Sequence, residues 1–436
     1  MSLTGPIFET LRRSSAGAAL LEITESLADV HVVGGTVRDS LLGLTPREID
    51  LVVEGQIDEL VEGLAARFSG SVTYHDRFGT ATVEVDQERV DVAQARTELY
   101  RTPGDLPEVN QLSGVSIDDD LLRRDFTINA IAVQLSQPGR GTLRAASNGY
   151  EDLVARQLRV LHDDSFRDDP TRLLRLARYV TRLGFEPEPH TRSLVKEAVG
   201  QEVMRKVSAA RIGAELRLLL AESDPLSGLD CLDRLGLLED IASAAAGSKT
   251  DPQSLVELAW DRQRAKDALS LLPVDGDKAA LLVAICLVVA ARNSDVSTDL
   301  DTLRTWLDGL EFPTRQREAI VSAVIDGPLL ADRLAEAQCP SEIASLLSGK
   351  AVEAVCIAGA LRSQDRARRW LAELRHVKLE ITGDDLVAAG IEPGPGLGKR
   401  LSIALARKLD GELRGGRAVE LAFALNVRDI QGDDDP

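Results

Sequence analysis

The chain has 436 residues, 44% hydrophobic and 28% charged, a composition that excludes bulk disorder and a length that calls for about two to four domains. Its formal charge of −19 excludes a protein that coats nucleic acid through an overall positive field. Residues 123–182 stand apart, with eleven Arg, no Lys and seven carboxylates, a local +4 that leaves −23 on the remainder.

In chain order, residues 30–145 alternate short β-rich runs with helical patterns: His31–Val33, Ile49–Val53, Val72–Tyr74, Thr80–Val85 and Arg89–Val92. From about Tyr150 the period-2 signal fades. Amphipathic helical stretches replace it, among them Arg172–Leu183, Arg211–Leu220, Ala279–Ala291 and Ser341–Leu347. The pattern predicts an α+β head, a small mixed sheet with helices, followed by an extended all-α body. The expected divisions are a head over 1–145, a neck over 146–222, a helical body over 223–378 and a helical tail over 379–436. Joints are expected near Gly139–Gly149, Ser223–Pro225 and Ala246–Pro252, with an acidic, frayed end at Gly432–Pro436. The four cysteines (Cys231, Cys286, Cys339, Cys356) form no C-x-x-C pair and have no His at ligand spacing, so neither a disulfide framework nor zinc is expected. Ala279–Ala291 is the longest apolar run and falls short of the ~20 residues that span a bilayer. Without a charged n-region before an apolar stretch, the expectation is a reduced, cytoplasmic protein.

At 31–43 the chain reads H-V-V-G-G-T-V-R-D-S-L-L-G. A strand runs into Gly34-Gly35 and then a helix near Thr36, which lets backbone N–H groups approach an anion, with Arg38 one turn in. A plain strand–turn–helix with Arg38 paired to Asp39 or a neighbour is the alternative, and the diglycine turn by itself favours it. Glu48 and Asp50 stand two apart in a β-pattern, so both project from one face, where a divalent cation relieves their repulsion. An exposed, solubilising strand edge is the alternative. Asp91 either joins them or stays solvated. Arg123, Arg124 and Asp125 precede an apolar helical run that Asp125 and Thr127 are placed to cap. In F-R-D-D-P-T-R-L-L-R-L-A-R-Y (166–179), Arg172, Arg175 and Arg178 recur every three residues without acidic i+4 partners. Asp169 beside Arg172 offers an acceptor and a donor suited to a base edge, or the stripe contacts phosphate without selecting a base.

These segments, in this order, together with A-R-I-G-A-E-L-R-L-L-L (210–220), resemble the class II tRNA nucleotidyltransferase and bacterial poly(A) polymerase family over roughly residues 28–222. The stretch I-T-G-D-D-L-V-A-A-G-I-E-P-G-P-G-L-G-K (381–399) looks like the family's tail. The resemblance implies Mg²⁺-dependent, template-independent transfer of CMP and/or AMP from CTP and ATP to the 3′ end of tRNA. It implies that Glu48 and Asp50 are catalytic and ligate Mg²⁺, and that Gly35 and Arg38 hold the triphosphate. Arg124 and Asp125 would meet phosphate and ribose. Asp168, Asp169 and Arg172 would select the base, with Arg175 and Arg178 completing the pocket. The helical body would cradle the tRNA stem, and the tail's Gly394–Lys399, Arg400, Arg407 and Lys408 offer a phosphate contact or simply a turn before a helix. No membrane partner is implied. An untemplated poly(A) polymerase, and a non-enzymatic nucleotide-binding module, are the alternatives.

Three departures stand out. Glu48 replaces the family's usual Asp in the first metal position. Ala145–Gly149 replaces its Asp-Pro-x-Gly-Gly. Residues 200–370 contain no His, so the phosphohydrolase activity of many relatives is expected to be missing. The choice between CCA, CC and A addition is expected to rest on a flexible loop within 94–116.

Overall fold

Val- and Ile-rich runs buried on both sides form the centre of a sheet, and the Leu/Ala-patterned stretches after it form helices. The computed structural model describes residues 3–68, 71–75, 79–85, 88–110, 114–246, 256–293 and 299–427. It divides into two compact units, Met1–Ala245 and Ala246–Pro436.

The first unit opens with α1 (Gly5–Arg13) and α2 (Ser15–Ile23), then β1 (Val30–Val33), α3 (Gly34–Leu41), β2 (Ile49–Val53) and α4 (Asp58–Phe68). There follow β3 (Ser71–His75), β4 (Thr80–Val85), β5 (Glu88–Gln94), β6 (Thr97–Leu99), β7 (Glu108–Asn110), α5 (Ile117–Leu122), β8 (Ile131–Gln134) and β9 (Leu143–Ala145). The sheet order is β3-β4-β5-β2-β1-β8-β9. Within this sheet only β2 and β5 pair in parallel, which sets Asp50 directly opposite Asp91, while antiparallel β4 sets Thr82 opposite Asp91. All four residues of β1 are buried.

The apolar run after Asp125 is not a helix. It forms a 3-10 turn, Thr127–Asn129, and then β8. Ile128 through Val133 is buried on every side, so the run carries no periodicity that separates helix from strand. Asp125 accordingly caps no helix and accepts from the amide of Phe126 at 2.8 Å.

The unit continues with α6 (Gly149–Ala155), α7 (Ser165–Asp168), α8 (Thr171–Leu183), α9 (Pro189–Gly200), α10 (Ala209–Leu220), α11 (Pro225–Arg234) and α12 (Leu237–Ala246). α10 and α11 pack on α8, which ends at Gly184 in the left-handed region, φ +65°.

The second unit is helical: α13 (Arg262–Leu269), α14 (Lys278–Asn293), α15 (Leu300–Gly309), α16 (Thr314–Glu336), α17 (Pro340–Leu347), α18 (Val352–Ala358), α19 (Gln364–Ala372), α20 (Gly383–Ala388), α21 (Pro395–Leu409) and α22 (Arg417–Asn426). Every residue from Ala280 to Ala290 is buried, so the apolar run is the core helix of this unit. Among the described residues no helix is long and apolar enough to cross a membrane. Ile381, Leu386, Ala404, Leu413 and Ala424 build a small core near the chain's end. Arg400 there is buried and donates to the carbonyls of Ala424 and Leu425, Lys408 pairs with Glu420, and Arg407 pairs with Glu412. Arg400 and Lys408 thus tie α21 to α22, whereas the Arg407 pair is exposed. The expected joint at Ala246–Pro252 lies largely outside the described residues, and Gly432–Pro436 wholly so.

Candidate active site

α3 starts at Gly34, two residues before the expected position, with φ +63°. The left-handed backbone of the turn calls for glycine, and a Cβ at Gly34 would stand 2.9 Å from Nη1 of Arg124 and displace that guanidinium. At Gly35 a Cβ would stand 3.5 Å from Oδ2 of Asp50. Thr36 fastens the helix start to the next strand: its Oγ1 donates to the Glu48 carbonyl at 3.1 Å and accepts from the Asp50 amide at 2.8 Å.

That clamp presents the carboxylates. Glu48 lies on the bend ahead of β2 rather than within it, yet one oxygen each from Glu48, Asp50 and Asp91 lie within 4.8 Å of one another. Asp91, left open by its sequence, thus joins the pair through the β2–β5 register. Burial, then the neighbouring Glu48, with Asp91 adding to it, pushes the Asp50 carboxyl up to about 7 against the pull of Arg124 and Arg38. Three converging hard oxygen donors, one destabilised as an anion, fit a divalent cation.

Facing them is the arginine array, around one cavity of 710 Å³. Arg38 is buried and donates to Asp39 at 2.8 Å and to Oδ1 of Asn129 at 2.6 Å. Arg124 donates to Asp120 at 3.0 Å, while its Nε and that of Arg178 have no hydrogen-bond partner. Arg175 forks onto Asp125 at 2.6 and 2.8 Å and donates to Glu215 at 3.1 Å. Arg178 lies 3.3 Å from Glu215 and 3.9 Å from Glu222. The stripe is therefore not a bare positive face. The spacing did place the three guanidiniums along this wall, but their counter-charges come from α10 and the turn after α5, beyond any i+4 rule.

Burial opposes ionisation of Asp125, yet Arg175 and the Asn129 amide overcome it and hold its carboxyl at about 2. Phe126 and Asn129 donate to its Oδ1 and Arg175 Nε donates to its Oδ2, with Arg175 Nη2 in ion-pair contact. Arg172 donates to Ser165 at 2.6 Å and to the Arg123 carbonyl at 2.9 Å. Asp169 accepts from Arg211 at 2.7 Å and from Thr171 at 2.6 Å.

Gly35, Arg38, Glu48, Asp50, Arg124, Asp125, Asp169, Arg172, Arg175 and Arg178 all line the cavity. Asp168 does not. It stands 4.0 Å from His162, and burial raises its carboxyl above the ordinary range.

Sequence reasoning missed Asn129, Glu215, Arg89 and Tyr179. The Tyr179 ring lies 5.2, 5.7 and 5.1 Å from the guanidiniums of Arg38, Arg175 and Arg178, and its hydroxyl accepts from Arg175 at 3.1 Å. The i,i+4 spacing of Arg175 and Tyr179 was a usable signal. The anticipated loop contains the β6–β7 hairpin. Gly104 at its tip donates to the Asp168 carbonyl at 3.3 Å and accepts from Arg211 at 2.8 Å. Residues 111–113 lie outside the described residues.

Residues 30–159 match the model of the poly A polymerase head domain, and residues 184–246 match that of the probable RNA and SrmB-binding site of polymerase A. The chain is 34% identical over 411 residues to an A-adding tRNA nucleotidyltransferase of Geobacter sulfurreducens, covering 92% of this chain and 45% of that protein. It is 32% identical over 388 residues to a CC-adding tRNA nucleotidyltransferase of Deinococcus radiodurans, covering 88% of this chain and 86% of that one. Against two other A-adding relatives the chain spans 54% and 25% of their lengths. A solved Thermotoga maritima CCA-adding enzyme complexed with tRNA superposes with TM-score 0.73 at 26% identity, covering 95% of this chain and 97% of that one.

Proposed function

This chain belongs to the class II tRNA nucleotidyltransferase and bacterial poly(A) polymerase family, and from that premise we propose that it transfers CMP and/or AMP from CTP and ATP to the 3′ end of tRNA, with Mg²⁺ and no nucleic-acid template. The observation that carries this reading is the carboxylate triad facing an arginine-lined wall across one cavity. Residues 1–145 serve as the catalytic head, 146–222 as the nucleotide-selecting neck, 223–378 as the body and 379–436 as the tRNA-contacting tail. The names of the relatives, among them one solved with tRNA, support tRNA as the acceptor. Four reduced cysteines accord with a cytoplasmic setting.

Glu48, Asp50 and Asp91 would hold the metal, which supplies charge neutralisation at the α-phosphate and a polarised 3′-hydroxyl. Arg38, Arg124 and the N–H groups around Gly34-Gly35 orient the triphosphate and stabilise the charge that gathers on it. Asp125 stays ionised throughout the neutral range, anchors Arg175, and meets the ribose by exchanging one of its present donors. Asp169 accepts and Arg172 donates towards the base edge, with Arg175 and Arg178 closing that side; Asp168 acts through the backbone of the same turn.

The test uses tRNAs ending before, within and just short of CCA, each with labelled CTP or ATP alone. The pattern of incorporation assigns the nucleotides added. The double change Glu48→Ala/Asp50→Ala is expected to lower incorporation by roughly 10³-fold or more. Persistent transfer by that variant overturns the assignment, and long poly(A) products on any RNA end favour the polymerase reading.

A further inference from the structure

Asp91 already has a cation. β5 places Arg89 two residues before it on the same face, with Nε 3.0 Å from Oδ1 and Nη2 3.0 Å from Oδ2. This fork engages both carboxylate oxygens. Thr82 Oγ1 takes a second position on Oδ1 at 2.7 Å, and Nε also stands 3.9 Å from Oε2 of Glu48. The Arg89 side chain is 54% exposed, so it can leave into water without repacking any core, whereas Thr82 can stay with Asp91 in either state.

We infer that Arg89 is an internal counter-cation that occupies Asp91 in the metal-free protein and competes with a divalent cation for it. The inference rests on the proposal that the triad is the metal site. The fork cancels the charge of Asp91 and covers the oxygens through which it would coordinate. Metal entry therefore breaks the Arg89–Asp91 pair and releases the guanidinium into solvent. Removing the side chain leaves three uncovered carboxylates and a stronger local field for a cation. A merely structural role predicts the opposite, because loosening β5 would scatter the ligands.

The experiment is Mn²⁺ binding to the intact protein, without nucleotide, followed by electron paramagnetic resonance. Arg89→Ala and Arg89→Gln are expected to lower the Mn²⁺ dissociation constant by about tenfold, with Arg89→Lys, which keeps the charge, close to the parent. Asp50→Asn is the companion. If Asp50→Asn binds Mn²⁺ like the parent, the metal-site reading itself fails. If Asp50→Asn loses the ion while both Arg89→Ala and Arg89→Gln bind no more tightly than the parent, the Arg89 inference fails and the metal site stands. Should Arg89→Ala not fold, Arg89→Gln, which keeps the stem, decides alone.

Discussion

Asp50 is held at about 7 because burial and Glu48 both disfavour its charge. A proton and a divalent cation therefore compete for it near neutrality. Mn²⁺ affinity is expected to fall by up to about tenfold per pH unit below about 7 and to level off above, as titration between mildly acid and mildly alkaline buffers will measure. The same shift acts on stability with a definite sign. A carboxyl raised in the folded state favours folding below its ordinary value and loses that contribution as pH rises through about 7. Thermal melts of the metal-free protein should show this group's contribution declining from pH 5 to pH 8, with added Mn²⁺ recovering it. Tyr179 is a second residue-scale case. Tyr179→Phe keeps the ring and loses one hydrogen bond, whereas Tyr179→Leu also removes three cation–π contacts worth about 0.5–2 kcal/mol each. The expected result is a modest rise in KM for nucleotide with Phe and a much larger one with Leu, read from steady-state transfer rates.

The strand–turn–helix from β1 through α3 to β2 is the element on which the carboxylates depend. Gly34→Ala meets both a left-handed backbone and a Cβ 2.9 Å from Arg124, so a loss of about 1–2 kcal/mol in urea unfolding is expected together with a drop in activity. Gly35→Ala has no positive φ and leaves 3.5 Å to Asp50, so its loss of stability should be smaller. α8 and α10 form the other supporting pair. Glu215 answers both Arg175 and Arg178, and Glu215→Gln leaves Arg175 on Asp125 but Arg178 with only Glu222 at 3.9 Å. A cost of about 1–2 kcal/mol in chemical unfolding is expected, since the enclosed Arg178 loses its nearer counter-charge. Of these arrangements the glycine turn and the arginine repeat were legible from local spacing. Glu215 was not, because its distance in sequence from Arg175 bears no relation to either helix's period.

At the scale of the whole chain, two compact units carry separate cores. Cys231 lies buried in the first, and Cys286 and Cys356 lie buried in the second; burial and then Glu353 push the Cys356 thiol up to about 12. Native protein should thus react with a thiol reagent mainly at Cys339, and Cys231, Cys286 and Cys356 should become reactive only on unfolding. Following the labelled positions through a denaturant series by mass spectrometry reads each unit's stability by itself. The acidic chain with its Arg-rich segment also acquires a structural meaning. Arg123, Arg124, Arg172, Arg175, Arg178 and Arg182 gather about the cavity, but five of them sit within 4 Å of carboxylate or fork onto one.

The amino-acid sequence determined whatever depends on near neighbours: the diglycine turn, the carboxylates two apart, the every-third arginines, and the change from β-rich head to helical body. Those features follow from bond geometry and helical or pleated periods, which act over a few residues. The tertiary structure alone decided that Asp91 completes the acidic set, since a parallel register between β2 and β5 places it there. It also decided that Asp125 and Glu215 pair with Arg175 and Arg178 and that Asp168 does not line the cavity. Those outcomes depend on which surfaces pack together across tens of residues of chain, and the free energy that selects them belongs to the assembled core.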